Sequence, residues 1–112
     1  MFGLSDKTLY DIRSVFRTFP HVKEVLIFGS RAKDNYRKGS DIDLAVKGEN
    51  ITFDDLLKIS VEIDNLELLY KVDVVDYHTK KNTPVGTEID KTGKTFYKIN
   101  KTELALPVKA SP

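Results

Sequence analysis

Asp41 and Asp43 stand one residue apart at the head of the run Ile42-Asp43-Leu44-Ala45-Val46, and Gly29-Ser30 closes the apolar run Glu24-Val25-Leu26-Ile27-Phe28 before it. Alternate side chains of an extended strand share a face, so Asp41 and Asp43 project together while Ile42 and Leu44 point into a core. Their Cα atoms then lie roughly 6–7 Å apart, and both carboxylates can reach one cation. Left to themselves, two like charges about 4 Å apart repel by roughly 4 kcal/mol at an effective dielectric near 20. A divalent cation converts that repulsion into binding, and an oxygen-only ligand set suits Mg²⁺. Gly29 permits a tight turn and close backbone approach, and amides opening a helix after it attract phosphate. The Ser30 hydroxyl adds a donor. The pattern reads as a metal and phosphate site.

Nucleotidyl transfer asks for a gripped triphosphate, cations to neutralise it, and an acceptor oxygen presented in line. The acceptor side calls for a third carboxylate. Val72-Asp73-Val74-Val75-Asp76 offers two, on opposite faces of a strand. Asp73 lies mid-strand, where an unpaired charge is costly, and is the preferred candidate. Asp76 lies nearer the strand end, where a solvated carboxylate needs no special explanation. Each feature alone is common in ordinary turns and strand ends; the Gly-Ser turn, the Asp-x-Asp pair and the strand aspartate together are far more specific. Arg31, Lys33, Arg37 and Lys38 crowd the same region. Such runs are usually solvated faces, and Arg31, next to the turn, is the one carried forward as a triphosphate contact. His21 and His78 lack ligand spacing and read as structural. Tyr36, Tyr70 and Tyr77 could stack on a base or meet a partner, and nothing in the sequence selects one.

The elements that must position these groups follow from periodicity. Ser5 caps a helix whose apolar positions Leu9, Ile12, Val15, Phe16 and Phe19 recur until Pro20. Glu24–Phe28 is a strand, Arg31–Arg37 a short helix, and Asp41–Lys47 a second, alternating strand. Thr52 caps a helix over Phe53–Asn65, with Phe53, Leu56, Leu57, Ser60 and Ile63 assigned to one face. Lys71–Tyr77 is the third strand, Pro84–Asp90 a last helix, and Thr95–Ile99 an edge strand. Phe16, Phe19, Phe28 and Phe53 fall at core periodicity. The expectation is an α+β fold, a small mixed sheet flanked by helices. Residues 1–100 form one domain, and 101–112, with two prolines and weak periodicity, read as a mobile tail.

Composition narrows the class further. A chain of 112 residues with 40% hydrophobic and 31% charged content holds one globular domain. A net charge of +1 argues against direct nucleic-acid binding. The absence of cysteine excludes disulfides, thiolate metal sites and a cysteine nucleophile. Met1-Phe2-Gly3-Leu4-Ser5-Asp6 has no signal-peptide pattern, and no apolar run approaches the ~20 residues of a membrane span, so a cytoplasmic protein without membrane contact is expected.

The sequence Phe28-Gly29-Ser30-Arg31-Ala32, followed by Gly39-Ser40-Asp41-Ile42-Asp43-Leu44-Ala45-Val46 and by Val72-Asp73-Val74-Val75, resembles the minimal nucleotidyltransferases (MNT family) of the DNA polymerase beta-type nucleotidyltransferase superfamily. With the leading helix and Gly93-Lys94-Thr95-Phe96-Tyr97, the likeness spans residues 9–99. Asp34-Asn35 depart from the pattern, standing where such proteins often carry glycine. The resemblance implies a nucleotidyltransferase fold working on ATP or another NTP with Mg²⁺, two ions rather than one, and Mn²⁺ as a substitute. It implies Asp41 and Asp43 as metal ligands, Asp73 completing the site and serving as base, and Gly29 and Ser30 cradling the β- and γ-phosphates. Many members are antitoxins that transfer AMP to a tyrosine of a helical HEPN-domain toxin, so a HEPN partner and a homo- or hetero-oligomer are implied. A catalytically weak or inactive nucleotide-binding module that restrains a helical partner by contact is the alternative. Small-molecule modification ranks third, since a chain this short has little surface from which to build an acceptor pocket.

Overall fold

A computed structural model describes residues 1–99, so the expected tail at 101–112 lies outside the described residues. In chain order the elements are α1 (Asp6–Arg17), β1 (Val22–Phe28), α2 (Ser30–Lys33), β2 (Ile42–Gly48), α3 (Phe53–Asp64), β3 (Val72–Asp76), α4 (Tyr77–Lys80), α5 (Pro84–Thr92) and β4 (Lys94–Lys98). The four strands form one mixed sheet in the order β3-β2-β1-β4. The tight excursion through α2 returns the chain antiparallel, pairing β1 with β2. The crossover through α3 makes β2 and β3 parallel, as a helical connection requires. β4 pairs antiparallel with β1 and is the edge strand expected of it. The fold is α+β.

Alternation along β2 separates two faces. Ile42, Leu44 and Val46 are fully buried and join Leu9, Ile12, Val15 and Phe16 of α1 and Ile59 and Ile63 of α3 in the main core. Val72 and Val74 of β3 pack against the same cluster. Asp43 and Ala45, with Asp73 and Val75 beside them in register, therefore face the other side. At the head of β2 the period of two thus sends Ile42 and Leu44 to the core and Asp43 to the other face.

Helix starts are well specified. The Ser5 hydroxyl accepts from the Thr8 N–H, and Thr52 and Asp55 form a reciprocal capping box at α3. The orientation of α3 differs from expectation. Its core side is formed by Ile59 and Ile63 with Leu56 at the margin, while Phe53 is 79% exposed and Leu57 51% exposed. Apolar residues surround much of this helix, and the observed core side is rotated from the expected one by roughly 60°, less than one residue's turn, so Leu56 and Ile63 stay inward while Phe53 and Leu57 turn out. Phe53 is thus a surface residue, not a core aromatic. Among the described residues no helix is long and apolar enough to cross a membrane.

The short helix α2 also ends sooner than expected, at Lys33, because Asp34 adopts a left-handed conformation (φ 67°, ψ 22°) and its N–H returns to the Ser30 carbonyl. This is a helix-terminating geometry that glycine adopts without steric penalty, so Asp34 stands where the resembled family's glycine would be least strained. Asp34→Gly is expected to raise stability by up to about 1 kcal/mol, a Tm increase of about 4–8 °C in a domain of this size, measurable by thermal denaturation.

Candidate active site

The chain leaves β1 at Phe28 and turns at Gly29, whose φ of 77° and ψ of −152° belong to a region essentially reserved for glycine. A Cβ built on Gly29 would stand 2.7 Å from Asp43 Oδ2. The turn and the carboxylate are therefore in direct apposition. The Gly29 N–H donates over 3.4 Å to Thr92 Oγ1, which itself donates to the Glu88 carbonyl at 2.9 Å, so α5 anchors the turn. Lys33 Nζ, 3.3 Å from Glu88 Oε2, adds a second tie between α2 and α5. Gly29→Ala is expected to cost about 1–3 kcal/mol through backbone strain and to displace the Asp43 carboxylate. Denaturant unfolding measures the first effect and divalent-cation binding the second.

Asp43 pairs with Phe28 across β1 and with Asp73 across β3. Directly opposed residues on adjacent strands share a face, so the Asp43 and Asp73 carboxyls neighbour each other. Asp41 lies just before β2 begins and is exposed. The coupling of all three is visible in Asp43: burial pushes its carboxyl above the usual value, and the charges of Asp73 and then Asp41 push in the same direction, with Lys71 opposing. Lys71 Nζ approaches Asp73 Oδ1 at 3.9 Å. Among the described residues no three acidic or histidine side chains stand close enough together to close round an ion as placed. The carboxylates form an open patch rather than a finished cage. Their chemistry fits a divalent cation nonetheless: every donor is oxygen, and the half-buried Asp43 is destabilised by the charges a cation would neutralise.

Asp73 and Asp76 exchange the environments expected of them. Asp73, with its side chain 47% exposed, is the more solvated. Asp76 is buried and caps α4, accepting from the His78 N–H at 3.0 Å. The third strand accordingly ends one residue earlier than expected, and Tyr77 starts a helical turn. An aspartate followed by Thr79, whose hydroxyl donates to the Asp76 carbonyl, was a capping signal available in the sequence.

Arg31 is not placed as a phosphate contact. Its side chain is 2% exposed, with Nε and Nη2 donating to the Ser40 carbonyl at 3.0 and 2.9 Å and Nη1 to the Phe2 carbonyl at 2.9 Å. The guanidinium carbon lies 5.2 Å from the Tyr36 ring centroid and 4.8 Å from that of Tyr70. Burial and these partners direct it into the fold, away from the solvent a triphosphate would occupy. The two tyrosines are likewise engaged with an arginine rather than open for a base. Ser30 opens α2 directly after Gly29, as the turn requires.

Comparison with known proteins agrees with the fold. The family model described as polymerase beta, nucleotidyltransferase, matches residues 10–102. No curated protein matches the chain. Among solved structures, a toxin–antitoxin complex with AMP-PNP is similar at 19% identity and a TM-score of 0.62, over 86% of this chain and 77% of that one. A tri-AMPylated Shewanella oneidensis HEPN toxin in complex with its MNT antitoxin is similar at 17% identity and a TM-score of 0.59, over 90% of this chain and 78% of that one. A nucleotidyltransferase-like protein from Sulfolobus solfataricus is similar at 22% identity and a TM-score of 0.51, over 86% of this chain and 91% of that one. At these identities the likeness is one of fold.

Proposed function

This chain belongs to the polymerase beta nucleotidyltransferase family, and from that premise we propose that it is a Mg²⁺-dependent enzyme that transfers AMP from ATP to a tyrosine hydroxyl of a HEPN-domain partner, acting in the cytoplasm as that partner's antitoxin. The observation that carries the reading is the parallel register that sets Asp73 beside Asp43, with Gly29 directly opposite the Asp43 carboxyl. A strand aspartate set against a glycine turn, with Asp73 beside it in register and Asp41 two residues away, is what nucleotidyl transfer asks of a protein; a scaffold has no use for the repulsion.

Asp41, Asp43 and Asp73 would hold two Mg²⁺, or Mn²⁺ in their place. When bound, the cations neutralise the triphosphate and lower the cost of ionising the acceptor. Gly29 and Ser30 bind the β- and γ-phosphates, Gly29 through the close approach its missing Cβ allows. Asp73, the more exposed of the β3 aspartates, accepts the proton of the acceptor hydroxyl. The acceptor oxygen forms a bond to the α-phosphorus, the bond from that phosphorus to the bridging oxygen breaks, and pyrophosphate departs. Residues 1–100 supply this half of the chemistry, and the partner supplies the acceptor. Phe53 and Leu57, exposed on α3, show that the domain carries apolar surface a partner could cover. The structural relatives that are toxin–antitoxin complexes, one with AMP-PNP and one with an AMPylated HEPN toxin, support the same choice of nucleotide and acceptor.

The test is transfer of label from α-³²P ATP, with Mg²⁺ or Mn²⁺, to the co-purified HEPN-domain partner, comparing wild type with the Asp41→Asn/Asp43→Asn variant. Label on the partner with the wild type alone establishes protein nucleotidyl transfer at this site. A stable complex that binds ATP and leaves the partner unlabelled establishes instead a module that restrains its partner by contact.

A further inference from the structure

We propose that Arg31 is a positioning residue that fixes the Asp41 and Asp73 backbones relative to the Gly29-Ser30 turn, so that divalent-cation affinity depends on a buried guanidinium that touches neither metal nor nucleotide. The inference rests on the metal-binding reading of the three aspartates. It goes beyond that reading in naming what holds the open carboxylate patch in register.

The geometry is that of a staple. Arg31 belongs to α2, one residue after Ser30. Its Nε and Nη2 fork closes on a single acceptor, the Ser40 carbonyl, at 3.0 and 2.9 Å. That carbonyl belongs to the peptide plane whose amide is that of Asp41, so the fork fixes the plane from which the Asp41 Cα departs. The rest of the turn is held independently: the Arg37 N–H donates to Ser40 Oγ at 2.7 Å and the Ser40 N–H to the Arg37 carbonyl at 2.9 Å. On the β3 side, the Tyr70 ring lies 4.8 Å from the guanidinium carbon, and the next residue, Lys71, accepts the Ile42 N–H at 2.9 Å through its carbonyl. One side chain thereby joins the phosphate turn, the residue before Asp41, and the segment leading into Asp73. Tyr36 stacks 5.2 Å from the guanidinium carbon and rests on Gly3, where any side chain would meet its ring, while Nη1 fastens the Phe2 carbonyl at 2.9 Å.

Among the described residues no carboxylate forms an ion pair with Arg31. A buried cation without a counter-ion costs free energy, which its neutral acceptors and two ring faces offset only in part. The expense is understandable if the planar fork supplies something an apolar side chain cannot. Lysine keeps the charge but has no fork to close on one carbonyl and no plane to stack on a ring, so Arg31→Lys isolates the positioning contribution.

Arg13 provides a control away from the site. Its Nε donates to the Phe96 carbonyl at 2.7 Å and its guanidinium carbon lies 5.0 Å from the Phe96 ring, a carbonyl-and-ring contact between α1 and β4 that is only part-buried and made without the fork. Mn²⁺ binding to the full chain, read by EPR at a temperature where circular dichroism shows every variant folded, is compared among wild type, Asp43→Asn, Arg31→Lys, Tyr70→Leu and Arg13→Lys. Arg31→Lys is expected to weaken Mn²⁺ binding about tenfold or more, in the range typical of outer partners of metal ligands, with Tyr70→Leu moving the same way and Arg13→Lys unchanged. Should Arg31→Lys fail to fold, Tyr70→Leu against Arg13→Lys decides. Wild-type Mn²⁺ affinity in the folded Arg31 and Tyr70 variants, or an equal loss in Arg13→Lys, overturns the proposal. Wild-type binding that Asp43→Asn leaves intact overturns the metal-site reading itself, and the inference with it.

Discussion

Replacing Asp43 by Asn is expected to lower nucleotidyl transfer about 10²–10³-fold while making the cation-free protein more stable. The two effects share one cause. Asp43 is half-buried, opposite Asp73 and two residues from Asp41, and its carboxyl is raised first by burial and then by those two charges. An amide of the same shape removes the charge that the cations need, and losing a charge-stabilising contact of this kind typically costs about 10²–10³ in rate. The same change removes the repulsion. For an acid whose folded pKa lies above the ordinary aspartate value of 3.8, the associated stability is complete below that value and is lost as pH rises through the folded pKa. Above the folded pKa the wild type carries the penalty that the Asn variant lacks. Thermal denaturation in EDTA should therefore give a higher Tm for Asp43→Asn at pH 7 and converging Tm values toward pH 3. Millimolar Mg²⁺ should raise the Tm of the wild type and leave the variant where it was. An Asn variant that is less stable than wild type at pH 7 in EDTA, or that keeps normal transfer, would show that Asp43 is a structural carboxylate.

What could be read from sequence follows a physical divide. Along β2 the period of two leaves no freedom: burying Ile42, Leu44 and Val46 forces Asp43 onto the opposite face. The site's core was therefore legible wherever a strand carried it. On α3, by contrast, Phe53, Leu56, Leu57, Ile59, Val61 and Ile63 leave little polar contrast, and only packing against α1 and β3 selects Ile59 and Ile63 for the interior. Arg31 was illegible for a different reason. Its partners Phe2, Ser40 and Tyr70 are scattered through the chain, and a basic residue beside a phosphate turn invites the wrong role until its burial is known. Asp34 lies between these cases: its departure from glycine was visible, but the left-handed conformation that gives the departure meaning belongs to the fold.

The third strand offers the sharpest separation of catalytic from structural carboxylate. Asp73→Asn should lower transfer about a hundredfold or more with little change in Tm, because the side chain is 47% exposed and its nearest cation, Lys71 at 3.9 Å, is a solvated pair of small value. Asp76→Ala should do the reverse. Its carboxylate caps α4 through the His78 N–H, and losing such a cap costs about 0.5–2 kcal/mol, several degrees of Tm, while transfer measured at a temperature where the variant is folded stays near wild type. Asp76→Asn, which retains a capping oxygen, should be close to silent in both measurements. The asymmetry is set by register: Asp73 shares its face with Asp43, whereas Asp76, three residues on, looks the other way and meets a helix start. A large activity loss in Asp76→Asn together with a silent Asp73→Asn would mean that the acceptor approaches from the opposite face of the sheet. The roles assigned to Gly29 and Asp43 would then have to be given up as well, since both lie on the Asp73 side.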